Sequence, residues 1–327
     1  MVCPRGGAGG VSINDEITIR PLRANELDEA DHIMRLAFAT YLGLSEPTAV
    51  LGDASYVHAR WLVDPDTAFA AEREGRLVGS SFGTRWGSVA SVGALTVHPD
   101  LWNRGIASRL LEPVLERVHA WGSRHTGLFT YPQSQKHVSL YQKFGFWPRF
   151  LTAIMTIDVE LAPVVTTWTA LSDLSDIDQE RSLDLCRRLA DSVYEGLDLS
   201  DEIRAVGRHR LGETLLLWDD AELIGFAICH NGRQTYGGTG VTYVKFGAVR
   251  PGAKAGEHLN RLLDVCMDFA QRKEASRLAL GVSTARHGAY LELLARGFQI
   301  SFLGVSMHRP SDAGYHRPDA YVLDDWR

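Results

Sequence analysis

The stretch LTVHPDLWNRGIASRLL, residues 95–111, decides how this chain is read. Its apolar start, Leu95-Thr96-Val97, is strand-like and stops at His98-Pro99. A polar turn through Trp102-Asn103-Arg104-Gly105 follows, and a helical period begins at Ile106 and continues through Leu110 and Leu111. A helix N-terminus carries unpaired amides and partial positive charge, which together favour an anion. Gly105 lets the backbone approach that anion where a side chain would collide. Ala107 and Ser108 keep the first turn small, and Arg104 adds charge. Strand, small-residue turn and helix make a phosphate cradle. From these residues alone, an ordinary β-to-α connection is an equal reading.

The same plan recurs further along. Val97-His98-Pro99 matches Val249-Arg250-Pro251, an offset of 152. Arg109-Leu110-Leu111 matches Arg261-Leu262-Leu263 at the same offset, as do Gly145-Phe146 and Gly297-Phe298. Phe150-Leu151 and Phe302-Leu303, Leu128 and Leu280, and Met155 and Met307 also keep it. Upstream, GRLVGSSFG around Gly79 resembles AELIGFAIC around Gly225, so the second copy carries about six extra residues between these landmarks. The division this predicts is a disordered tail over residues 1–13, a first domain over 14–160 and a second over 161–327. Each copy opens on an amphipathic helix, LDEADHIMRLAFATYL or DQERSLDLCRRLADSVY. In the first copy, strand-like runs with glycine turns follow up to residue 97. A helix over about 105–121, a strand GLFTY, a short helix over about 135–144 and closing strands around 147–159 complete it. An antiparallel meander feeding a βαβ segment is an α/β (α+β) layered fold.

Composition narrows the function. With 327 residues and a net charge of −6, the chain has the length of two domains and no basic excess for nucleic acid or anionic lipid. Cys3, Cys186, Cys229 and Cys266 lie far apart with no paired spacing, as reduced cytoplasmic thiols would, and no metal site is implied. The glycine-rich start lacks the apolar core of a signal peptide, and no apolar run has membrane-spanning length.

The segment VGALTVHPDLWNRGIASRLLEPVLERV, followed by SLYQKFGFWPR, resembles the GNAT acyl-CoA-dependent N-acetyltransferases from about Ile17 to Val159. In that family a turn written (Gln/Arg)-x-x-Gly-x-(Gly/Ala) holds the CoA pyrophosphate. Gly105 and Ala107 fit that pattern, while Trp102 replaces the usual Gln or Arg. The resemblance implies two GNAT-like domains, each a mixed, mostly antiparallel sheet flanked by helices, with acetyl-CoA as cosubstrate. It implies that backbone groups of Leu95, Thr96 and Val97 line the pantetheine and acetyl carbonyl. It further implies that the amides of Asn103, Arg104, Gly105, Ile106, Ala107 and Ser108 receive the pyrophosphate. An amide aimed at the acetyl oxygen would also steady the oxyanion.

Tyr141, in LYQKFGF, matches the family's general acid. A phenol with an ordinary pKa of about 10 is protonated at neutral pH and suits a departing thiolate. Ser134 stands where the family often has Asn and retains a hydrogen-bonding group; His137 reads as a solvated or cofactor-rim side chain, and His98 receives no role. The attacking ammonium needs a base, yet SVASVGALTV holds no carboxylate, which leaves Glu46, Asp53 or water. In the second copy Leu293 stands at the tyrosine position and Glu257 at that of Gly105, so this copy reads as degenerate. His230, Tyr236, Tyr243 and Glu292 are its possible contributors to the acceptor pocket.

The implied activity is acetyl transfer from acetyl-CoA to a primary amine of a small molecule, a peptide N-terminus or a lysine, in the first domain. The alternatives are a non-catalytic CoA sensor or interaction module, and a thiol-precursor acetyltransferase like mycothiol synthase, whose working copy is the second. The expected state is a cytoplasmic monomer or homodimer without nucleic-acid or membrane partners.

Overall fold

The computed structural model describes residues 17–47, 50–160 and 168–327; the proposed tail, Cys3 and the start of the second repeat at 161–167 lie outside them. The first repeat begins with β1 (Ile17–Pro21), α1 (Leu27–Leu42) and α2 (Tyr56–Val63). Strands β2 (Ala68–Arg73), β3 (Arg76–Trp86), β4 (Val89–Val92) and β5 (Thr96–Val97) follow. It closes with α3 (Ile106–Ala120), β6 (His125–Thr130), α4 (Gln135–Lys143) and β7 (Trp147–Asp158). The second repeat starts with β8 (Trp168–Ala170), α5 (Asp176–Val193) and α6 (Ser200–His209). Then come β9 (Gly212–Asp219), β10 (Glu222–Gly232), β11 (Gly238–Val249) and α7 (Ala255–Arg272). The chain ends with β12 (Arg277–Ser283), α8 (His287–Ala295), β13 (Gln299–Arg309) and β14 (Val322–Leu323).

Local sequence explains the long helices. In α1 the buried residues Leu27, Ala30, Ile33, Met34 and Ala37 recur at helical spacing, and Gly43 ends the helix in the left-handed conformation. In α3 the stripe is Ile106, Leu110, Leu111, Val114, Leu115 and Val118. The sequence missed α2, whose SYVHARWLV carries too short an apolar period, although Ser55 caps it and Tyr56, Val57 and Ala59 are buried. It also missed α6, and it expected more than one strand around 147–159 where β7 runs unbroken.

The strands form one continuous sheet in the order β1-β2-β3-β4-β6-β13-β7-β12-β11-β10-β9-β8, with β5 on β3 and β14 on β11. Each position left of the β13–β7 pair has its repeat counterpart on the right. The sequence repeat is contiguous, but the last strands are exchanged: β7 pairs with β12 of the second half, and β13 pairs with β6 of the first. Two landmarks of the repeat meet in this exchange. Leu280 faces Met155 and Leu128 faces Met307, and all four are fully buried. The constant offset across residues 128–155 and 280–307 therefore records mutual packing.

Further ties cross the seam. Trp86 of β3 packs edge-on to Phe246 and donates its indole hydrogen to Glu202 at 3.1 Å. The Asp53 carboxylate accepts from the Thr239 amide and hydroxyl at 2.7 and 2.6 Å. Cys186, Cys229 and Cys266 are buried free thiols.

A fragment ending at residue 160 would lose β13 and expose the edge of β6, a template for aberrant pairing. We expect it to self-associate or precipitate, as read by light scattering. A stable folded monomer would contradict the exchange.

Candidate functional site

The site is built where two strands part. β4 runs parallel to β6 from Val89 to Ser91, opposite His125 to Gly127. Beyond that point the chain continues as β5, which pairs only with β3, through Gly79–Val97 and Ser80–Thr96. The other edge of Leu95–Val97 has no strand partner among the described residues, and a gap opens toward the end of β6. Thr96 Oγ1 is buried there with no partner among the described residues. The Val97 carbonyl accepts from the Trp102 indole at 2.8 Å.

At one end of the gap stands the turn. Asn103 and Gly105 are both in the left-handed region, at φ 66° and 77°. Gly105 is the N-cap of α3, has no side-chain cap, and faces open space. The first helical bond described is from the Arg109 amide to the Gly105 carbonyl, so the amides of the opening turn point outward. Asn103, Arg104 and Gly105 are exposed, Ala107 and Ser108 are half-buried, and Ile106 anchors the helix in the core. The ammonium of Lys136, at the start of α4, stands 5.4 Å from the Trp102 ring centre. Trp102, the departure from the family turn, thus holds a cation beside the turn. Sequence reasoning missed Lys136 because the two residues lie 34 positions apart in the chain.

Tyr141 lies on α4, 8% exposed, against Phe146. Burial pushes its phenol well above the ordinary value, so it is a proton donor at neutral pH. It makes no hydrogen bond among the described residues. Ser134 is the N-cap of α4, accepting from the His137 amide at 3.3 Å, so its hydroxyl is engaged in the helix start.

Neither carboxylate candidate for the base joins this group. Glu46 is exposed in the loop after α1. Asp53 is bound by Thr239, and these hydrogen bonds hold its carboxyl below the usual range, which weakens it as a base. Instead α1, β6 and α4 bring rings together over the gap. Tyr41 lies 4.7 Å from Tyr131 and 5.2 Å from His137, ring centre to ring centre. Phe302 of the exchanged strand β13 meets Tyr131 at 5.4 Å and Phe129 at 5.8 Å. No sequence signal joins residue 302 to residue 131; only the exchange does so.

The second half shows the same parting of strands, but filled. Its counterpart of Leu95–Thr96 is Gly247–Ala248, which pairs with β14 through Leu323 and Val322. The Val249 amide donates to the Tyr321 carbonyl at 3.3 Å. Leu323 enters the core of this half. The Tyr321 hydroxyl stands against Gly256 in the first turn of α7 and Gly288 in the first turn of α8. The chain's own segment therefore lies along the strand edge and the helix start that remain open in the first half. Glu257 is exposed in the first turn of α7, but that helix starts at Ala255, one turn earlier than the offset implies. Leu293 is buried at the tyrosine position. Of the proposed pocket contributors, Tyr236 stacks on Tyr56 at 4.9 Å and donates to the Arg327 carbonyl at 3.0 Å. The Tyr243 hydroxyl donates to Asp325, while Glu292 accepts from Asn260 at 2.7 Å, beside Gly256 at the start of α7. His230 is buried against Glu202 and Tyr236.

Arg286, fully buried, holds the segment through the Val322 carbonyl at 3.0 Å and Asp324 Oδ1 at 2.8 Å. Trp326 then passes beneath β6 and packs on His125, His308 and His316. A methyl group on Gly127 would lie 1.8 Å from its ring.

Residues 33–146 match the profile of the acetyltransferase (GNAT) family. Over 83 residues the chain is 32% identical to an acetyltransferase of Pectobacterium atrosepticum and, in a second comparison, 32% identical to one of Sodalis glossinidius. The matched stretch is 25% of this chain and covers 59% and 58% of those two relatives. A candidate acetyltransferase of Pyrococcus horikoshii superposes at a TM-score of 0.68 over 99% of both chains, with 14% identity. A tandem GNAT protein from the clavulanic acid biosynthesis pathway does so at 0.52, over 90% of this chain and 98% of its own, with 16% identity. The likeness to the GNAT family is carried by residues 33–146 of the first half. The second half shares the doubled fold alone. Among the described residues no helix is long and apolar enough to cross a membrane, and no cluster of His, Cys, Asp or Glu could hold a metal ion.

Burial lowers the titration of His308 to about 3 and also depresses His125 and His316. Below the ordinary value of about 6.5 the unfolded chain binds protons that the folded chain refuses, so stability is complete above that pH and falls as pH drops toward 3. Thermal unfolding followed from pH 8 to pH 4 should show this decline, and His308→Gln should shallow it. An unchanged slope would contradict the assignment.

Proposed function

We propose that this chain is an acetyl-CoA-dependent N-acetyltransferase with one working cleft per chain, in the first half, acting on a primary amine. The carrying observation is the contrast between two equivalent strand edges. Leu95–Val97 is open, whereas Gly247–Val249 is already paired with residues 321–323. Pantetheine is an extended chain with two amide groups, so an edge suited to an antiparallel strand is suited to it as well. The unpaired amides at the start of α3 suit the diphosphate, with Arg104 and Lys136 supporting the charge. These residues fit the cosubstrate; those of the second half do not, because Tyr321 and β14 stand in the way.

The chemistry follows from the same residues. A free amine attacks the acetyl carbonyl carbon, and an amide of the 95–97 stretch faces the oxygen that gains charge. When the tetrahedral intermediate collapses, the C–S bond breaks and Tyr141 gives its proton to the departing thiolate. The phenolate then recovers a proton released by the new amide nitrogen. The acceptor is a small molecule or a peptide amine. The aromatic rings over the gap favour a cationic amine carried on an apolar body.

Calorimetric titration with acetyl-CoA should give one site per chain, abolished by Gly105→Glu; two sites would sink the proposal. Tyr141→Phe should keep that affinity and lower turnover roughly 10²–10⁴-fold. Turnover at the parental rate would remove Tyr141 from the role.

A further inference from the structure

We propose that His137 is the catalytic base of this reaction, taking the proton of the acceptor ammonium at the ring cluster it forms with Tyr41 and Tyr131. This inference rests on the acetyltransferase reading above and fills the role that reading leaves open.

His137 and Tyr141 are four residues apart on α4 and so share one face of the helix. Tyr141 packs with the strands and α3 in the same apolar group as Leu95 and Val138. One turn nearer the helix start, His137 reaches Tyr41 of α1 at 5.2 Å and Tyr131, just beyond β6, at 6.4 Å. Helix α1 packs on β5, and Tyr131 continues β6, so this contact spans the parting between the two strands. The three rings thus stand beside the open edge at Leu95–Val97, between α1 and the end of β6.

Neither ring nitrogen of His137 has a hydrogen-bond partner among the described residues, and the residue is half-buried. The groups facing it are the phenols of Tyr41 and Tyr131, with Lys136 beside it on its own helix. Burial, followed by the Lys136 charge, lowers its titration below the ordinary imidazole value, so the ring is neutral near pH 7 and has a lone pair to offer. The phenol faces attract an ammonium, and burial raises Tyr131 to about 12, so that phenol stays neutral and does not compete for the proton.

The step balances without a further reactant. The imidazole nitrogen takes one proton from the ammonium, and the freed lone pair forms the C–N bond. The C–S electrons leave with sulfur, which receives the Tyr141 proton. The second nitrogen proton restores the phenol, and the imidazolium returns its own to solvent.

The test uses the full chain, acetyl-CoA and the fastest substrate from a panel of primary amines. In His137→Gln, kcat/KM at pH 7 should fall about 10²-fold or more with acetyl-CoA affinity unchanged. The deficit should shrink toward pH 10, where an alkylamine loses its proton unaided. In His137→Ala, added imidazole should restore part of the rate. Activity within threefold of the parent at pH 7, or a deficit constant with pH, would overturn the proposal. If the parent binds acetyl-CoA but acetylates no amine, the acetyltransferase reading fails and takes this role with it; if amines are acetylated, the imidazole signal tests the placement of the base. That signal, assigned by its loss in His137→Gln, should be neutral at pH 7 and move when acetyl-CoA is added. A charged or unresponsive ring would overturn the placement.

Discussion

Everything in the site depends on a strand edge being left without a partner. A sheet edge in a protein interior is costly, because each unpaired amide or carbonyl must find another group. This chain meets that demand twice, in two ways. In the second half the demand is met from within, by Tyr321–Leu323 pairing along Gly247–Val249. In the first half the edge at Leu95–Val97 stays open, and the helix start at Gly105 stays uncapped beside it. One half has the cleft satisfied by its own chain. The other has it available.

Strand exchange is what makes the two halves a single object. Because β7 and β13 each complete the opposite half, the central pairs Leu128–Met307 and Leu280–Met155 are buried on both sides of the pseudo-symmetry. Phe302 arrives over the first cleft by the same exchange, and Trp326 passes below β6. The second half therefore contributes Phe302 to the rings beside the open edge of the first. The aromatic cluster joining Tyr41, Tyr131 and His137 is fixed by α1, β6 and α4, all of the first half.

The repeat, the long helices and the glycine turn before α3 were legible in the sequence because each is a local pattern. A constant offset, a helical apolar period and a glycine after a strand can all be counted along the chain. The exchange of strands was not legible, since β7 has the same local pattern whichever neighbour it pairs with. The plugging segment was hidden for a related reason: two residues, Val322 and Leu323, carry no periodicity. Asp53 looked like a loop carboxylate with a free role, but its partner Thr239 lies across the seam. Lys136 and His137 were visible as residues, yet only the folded chain sets one over Trp102 and the other against Tyr41. Glu257 shows the opposite error, in which the offset holds along the helix but its start moves by a turn.

Amide hydrogen exchange with and without acetyl-CoA tests the central claim most directly. Residues 247–249 should be protected before ligand is added and should not change, while 95–97 and 103–108 exchange readily and become protected on binding. Protection gained at 247–249, or none gained around 95–108, would contradict it.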